Sequence, residues 1–237
     1  MPSFPKVLKK WLADSYEYLG LVLMSSFIWF SITLGGLALI TNFKSRPALV
    51  LALLGIFYAF VIAPMTSAVF NLAKKMVTRD DPSLLELLQG FRGFFAVSWT
   101  LGVAQIFVSF LIVANAWFYL THGGIVLRIL GVLALYVLIL WMMSAVYHFP
   151  MLIEQRPGTF KIIKRGFLIT LDNPGFTAGV FLAIILLTCF SAATLLGMPL
   201  LYIGMLSILE TRALRAVFVK YGLLEPEKEY KPEDEAE

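Results

Sequence analysis

Apolar residues in this chain gather into long charge-free blocks instead of alternating with polar ones, and the blocks can be measured against a bilayer. A helix needs about 20 apolar residues to cross a hydrocarbon layer of roughly 30 Å. Five stretches are that long: 19–40, 47–72, 94–120, 129–153 and 176–196. A sixth, 199–220, opens after Gly197-Met198-Pro199 and stays apolar to Leu209, where Glu210 and Arg212 interrupt it. The pattern predicts an all-α, polytopic membrane fold of six transmembrane helices arranged as three hairpins, in one domain over 1–224.

Three segments ahead of odd-numbered spans show helical spacing of apolar residues. They are Phe4, Val7, Leu8, Trp11 and Leu12; Leu84, Leu88, Phe91 and Phe95; and Phe160, Ile163, Phe167 and Leu171. Each fits an amphipathic helix lying at the headgroup level, or an inward continuation of the span that follows. The elements also recur in order. Ser67-Ala68-Val69-Phe70 matches Ser144-Ala145-Val146-Tyr147, and Pro82, Gly90-Phe91 and Gly102 match Pro157, Gly166-Phe167 and Gly179, at offsets of 75 to 77. Ala216-Val217-Phe218 reads as a fainter third copy. Small residues at repeated positions allow close helix approach, the usual packing device in lipid.

Charge settles the span count. With six spans, Lys6, Lys9, Lys10, Lys74, Lys75, Arg79, Arg92, Arg156, Lys161, Lys164, Arg165, Arg212, Arg215, Lys220, Lys228 and Lys231 share one face, leaving Lys44, Arg46 and Arg128 opposite. The positive-inside rule then makes both termini cytoplasmic. Five spans would put Arg212, Arg215 and Lys220 on the wrong side. The first apolar run is 22 residues long, beyond the 7–15 of a cleaved signal, so it reads as an uncleaved span.

Composition agrees: 59% of the 237 residues are hydrophobic, 14% are charged, and mean hydropathy is +0.84. A soluble core could not hide that much apolar surface. The net charge of +4 does not mark a nucleic-acid binder, because the cations lie between apolar runs and not in one patch. Seven carboxylates in the segment 225–237 predict a disordered acidic cytoplasmic tail. The single cysteine, Cys189, lies within an apolar run and forms no internal disulfide.

The run Ala63-Pro64-Met65-Thr66-Ser67-Ala68-Val69-Phe70, then Lys74-Lys75, Arg79-Asp80-Asp81-Pro82, and 84–95 leading to Ser98-Trp99 and Gly102 resembles the YesL-like bacterial membrane proteins, a family of unknown function. The chain departs from the family pattern at Met76, where an aromatic is expected, and at Met65-Thr66, which separate the proline from the small residues. The resemblance implies architecture and a bacterial cytoplasmic-membrane setting, and it transfers no site.

Chemical motifs are absent: there is no GxxxxGK[ST], no GxGxxG, and no HExxH around His122 or His148. Neither an enzyme nor a cofactor or metal is expected. Polar residues inside spans are the candidates, because they are costly in lipid. Gln105 and Ser109 lie one turn apart in the third span, as a solute-facing stripe or as interhelical hydrogen bonds. Asn71 and His148 sit at equivalent repeat positions, four residues after Ser67 and Ser144, where they line a cytoplasmic cavity or serve as packing groups. Glu210 either meets Glu154 or Arg215 in the fold or snorkels to the headgroups. Pro64 and Pro150 are expected to kink spans two and four. The sequence favours a non-enzymatic accessory or scaffold for a membrane transport system, partnered by lipid and by another membrane protein. The alternative is a small-solute transporter or channel with a polar path through Asn71, Gln105, Ser109, His148 and Glu210.

Overall fold

The computed structural model describes residues 3–122 and 124–225, and all regular structure in them is helical. The predicted tail lies outside the described residues beyond Glu225. The helices are α1 (Phe4–Glu17), α2 (Leu19–Thr41), α3 (Pro47–Phe57), α4 (Ala63–Thr78), α5 (Leu85–Thr121), α6 (Ile125–Ala145), α7 (His148–Gln155), α8 (Thr159–Asp172), α9 (Pro174–Ala193) and α10 (Ile203–Lys220). Among the described residues, five helical runs are long and apolar enough to cross a membrane: Leu19–Thr41, Pro47–Thr78, Leu85–Thr121, Ile125–Gln155 and Pro174–Ala193. The predicted sixth segment, 199–220, is helical but is not among those five, because α10 carries Glu210, Arg212 and Arg215.

The prolines set where the helices change winding. A proline has no N–H to bond the carbonyl four residues back, and its ring pushes that carbonyl aside. The second run meets this with a π-helical turn, Tyr58–Ile62, just before Pro64. Pro199 sits in a second such turn, Met198–Tyr202. Pro150 coincides with the Val146-Tyr147 break that separates α6 from α7.

The amphipathic segments behave differently from one another. α1 and α8 are separate helices, whereas the segment around Leu84–Phe95 is continuous with the third span inside the 37-residue α5. In α8 the buried residues are Ile162, Gly166, Ile169 and Thr170, while Phe160 and Leu171 of the predicted stripe are exposed. The two ends of that stripe therefore face away from the protein, while Ile163 and Phe167 are half-buried and Ile163 packs on the core. The exposed ends suit an acyl-chain environment.

The core lies at the end of the bundle where α1, α4, α7, α8 and α10 meet. α10 is the central element, buried continuously from Ser207 to Leu214 and packed on α1, α2 and α4. The halves of α2, α3 and α6 nearest the 41–47 and 121–125 loops present exposed Leu34, Leu39, Leu51, Ile129 and Leu133. Some equivalent positions of the repeat make similar contacts, whereas Gly102 faces Ala63 and its counterpart Gly179 faces Phe4. α4 packs on α5, α6 and α7 pack on α8, and α10 packs on α1. Gly90 faces α4 so closely that a Cβ there would lie 2.9 Å from the Ala68 Cα and from the Asn71 Cβ. Gly166 faces Ser144 and His148, with a Cβ 2.9 Å from the His148 Cδ2. Both α4 and α7 end on a left-handed arginine, Arg79 (φ 59°) and Arg156 (φ 49°).

Candidate binding cavity

Between α2, the α3–α4 run, α5, α6, α7, α9 and α10 lies a cavity of about 610 Å³. Its walls include Trp29, Phe57, Tyr58, Phe70, Phe149 and Phe181, and its polar groups include Thr33, Thr66, Gln105 and Glu210. The π-helical turn helps to shape it, since Tyr58 and Ile62 both line the space. π-helical turns recur at functional sites because they displace side chains from the regular helical register.

Three hydrogen bonds order the polar groups. The Tyr58 hydroxyl donates to the Gln105 carbonyl oxygen at 2.9 Å, and the Gln105 Nε2 lies 3.1 Å from His148 Nδ1. With its oxygen occupied by Tyr58, Gln105 offers an N–H to the ring, so Nδ1 accepts and the ring proton resides on Nε2. His148 is fully buried, its ring packs edge-on against Trp141, and its Nε2 has no hydrogen-bond partner among the described residues. On another wall, Trp29 Nε1 donates to Thr66 Oγ1 at 3.0 Å.

Glu210 is the unusual member. It is 8% exposed, lines the cavity, and has no hydrogen-bond or ion-pair partner among the described residues. Arg215 and Glu154 are the neighbours expected from the sequence. They pair elsewhere: Arg215 Nη1 lies 2.8 Å from Glu154, whose carboxylate also meets Lys74 Nζ at 3.2 Å. This three-residue network ties α10, α7 and α4 together. Nor does Glu210 snorkel. Arg212 bonds Asp14 of α1 through Nε at 2.5 Å and Nη2 at 2.9 Å, with both side chains buried.

The other candidates separate from the cavity. Asn71 donates to the Glu86 carboxylate at 3.1 Å and to its backbone carbonyl at 3.2 Å, and it lines a distinct polar cleft with Lys74, Lys75 and Glu154. α4 turns Thr66 and Phe70 to the cavity and Asn71 toward α5. Ser109 accepts a hydrogen bond from Trp141 Nε1 at 2.9 Å between α5 and α6. Ser67, one turn before Asn71, accepts from Ser98 at 2.7 Å. Gln105, His148 and Glu210 thus come together around one space, two of them lining it and His148 bonded behind Gln105.

Two groups were not singled out from the sequence. Tyr58 carries a hydroxyl in an apolar run, and such a group needs a partner. Asp14 follows Trp11 by three residues and Val7 by seven, which puts a carboxylate on the buried stripe of α1. Either position could have drawn attention.

Comparison of the chain with family models, curated proteins and solved structures gives no match.

Proposed function

We propose that this protein is a multi-pass membrane protein that binds a small solute in the cavity between its helices, as the binding step of transport. The observation that carries this reading is the Glu210 carboxylate facing a space of about 610 Å³ beside Gln105. A volume of that order matches small-molecule sites, which run to roughly 300–1,000 Å³ with few polar groups in apolar walls. Ionisable residues buried in membrane bundles mark solute or ion paths. The accessory or scaffold reading rests on the sequence alone; lipid accounts for the exposed apolar faces equally well.

Six spans in three hairpins, with both termini cytoplasmic, belong to this reading. A sixth span over 199–220 is supported by the burial of its charges. Arg212 pairs with Asp14 and Arg215 with Glu154 inside the protein, so lipid does not meet them. The hydrogen bond from Thr188 Oγ1 to the Tyr202 hydroxyl at 3.3 Å links α9 to the turn that begins this segment. Membership of the YesL-like bacterial family, with a cytoplasmic-membrane location, is part of the same proposal. Its support is that the motif residues form one seam, with Ala63 and Ala59 against Gly102 and Ala68 against Gly90.

The test is uptake into proteoliposomes from a mixed pool of labelled sugars, amines, amino acids and ions. We expect at least one solute to enter, entry to be abolished by Leu206→Trp, which fills the cavity, and entry to be reduced by Gln105→Leu. Leu206→Trp should melt like the parent, whereas Gln105→Leu should melt lower because it leaves the Tyr58 hydroxyl and His148 Nδ1 without partners. Entry of no solute, or an uptake indifferent to Leu206→Trp, would overturn the reading.

A further inference from the structure

We infer that the cavity is an organic-cation site, in which the Glu210 carboxylate receives an ammonium group and the aromatic walls receive the apolar body attached to it. This rests on the small-solute reading above and narrows it to one chemical class.

Charge is the first ground. Every other buried or half-buried carboxylate near the core has a partner: Asp14 has Arg212, Glu154 has Lys74 and Arg215, and Glu86 has Asn71 and Lys75. Glu210 alone among these lines an open space, and it has no hydrogen-bond or ion-pair partner among the described residues. A carboxylate taken out of water is costly unless a counter-charge meets it, and here the counter-charge must come from what enters the cavity. An anion is disfavoured, since no lysine or arginine among the described residues lines the space.

The walls are the second ground. Trp29, Phe57, Tyr58, Phe70, Phe149 and Phe181 surround the same volume. Aromatic faces attract a cation through the ring quadrupole, and the attraction strengthens where water is excluded. They also suit an apolar or flat substituent. A hydrated metal ion would find one carboxylate and too few oxygens, and no cluster of three metal-ligating side chains occurs among the described residues. The chemistry therefore points to a protonated amine or a quaternary ammonium carrying a hydrophobic group. That ammonium can belong to a free amine or to an ethanolamine lipid headgroup.

The experiment uses the full chain in phosphatidylglycerol nanodiscs and equilibrium dialysis of three labelled probes of one shape: 2-phenylethylammonium, 2-phenylethanol and 3-phenylpropionate. The ammonium should bind at least about tenfold more tightly than either other probe. Glu210→Gln removes the charge but keeps the shape, and should weaken ammonium binding at least about 30-fold, the loss expected when one partner of a buried charge pair is removed. Leu206→Trp, which leaves Glu210 in place, should abolish binding of all three. Replacing part of the lipid with phosphatidylethanolamine distinguishes the sources: competition supports the headgroup, and unchanged binding supports a free amine. Equal binding of the three probes, ammonium binding that survives Glu210→Gln, or no binding of the ammonium overturns the cation assignment. If neutral binding is still abolished by Leu206→Trp, the solute cavity stands while the cation assignment falls. Binding indifferent to Leu206→Trp removes both.

Discussion

Asp14→Asn should be among the most damaging single substitutions in this protein, although it changes one polar group for another of the same shape. Asp14 and Arg212 form a two-pronged pair at 2.5 and 2.9 Å, with side chains 3% and 8% exposed, and they join α1 to the central helix α10. Neutralising the aspartate takes this two-pronged carboxylate away from a guanidinium that is buried in the core. Breaking a buried pair on one side costs about 3–5 kcal/mol. For a chain of this size about 1 kcal/mol corresponds to roughly 2–4 °C, so the melting midpoint should fall by roughly 6–20 °C. The assay is intrinsic tryptophan fluorescence on heating in nanodiscs, where Trp11 reports directly because its Nε1 donates to the Met205 carbonyl of α10 at 2.8 Å. The double variant Asp14→Leu/Arg212→Met removes both members of this pair and should regain most of the loss. Glu17→Ala is the control, because its pair with Arg79 is exposed and such pairs are worth about 0.2–1 kcal/mol. A midpoint for Asp14→Asn within about 2 °C of the parent, or a double variant as unstable as the two singles combined, would refute the reasoning.

Other outcomes follow from the same contacts. Glu210→Gln should raise the melting midpoint in the absence of added solute, since it removes a buried carboxylate without a partner; a fall of several degrees would count against its being unpaired. Gly102→Ala brings a Cβ within 2.9 Å of the Ala63 Cβ and 3.3 Å of the Ala59 Cα, and should cost about 1–3 kcal/mol. Gly93→Ala on the same helix meets nothing within 4 Å and should be neutral or stabilising by up to about 1 kcal/mol; equal effects from the two would show that α4 and α5 do not approach closely at Gly102. At the chain's other end, hydrogen bonds from Tyr221 and Lys220 hold the Asp172 carboxyl below its ordinary value of 3.8. A depressed acid contributes stability above its unfolded value and loses it as pH falls through the folded one. The α8–α10 tie should therefore loosen only below about pH 4, visible as faster amide exchange around Asn173, and Asp172→Asn should abolish that pH dependence.

Much of the fold was legible because the bilayer imposes a length and a polarity that a sequence must display. The five long apolar runs appear where the charge-free blocks stand, and the winding changes appear at Pro64 and Pro150, where a missing N–H demands them. The 77-residue recurrence of Ser67 and Asn71 at Ser144 and His148 likewise carries into contacts, with Gly90 and Gly166 at matching approaches. The residue types near the cavity were also visible, since Gln105, His148 and Glu210 are polar in apolar company.

Tertiary structure alone decided how those groups are partnered. Equivalence in the repeat put Asn71 and His148 in one class, yet Asn71 bonds Glu86 at the head of α5 while His148 bonds Gln105 behind the cavity. Spacing along α10 shows which faces Glu210, Arg212 and Arg215 occupy. It cannot show that Asp14, 198 positions away, takes Arg212, or that Glu154 takes Arg215 and leaves Glu210 facing an open space. Hydropathy is a property of the chain against its solvent and is local in sequence. Charge pairing depends on which helices lie side by side, and the chain reveals that only once it has closed on itself.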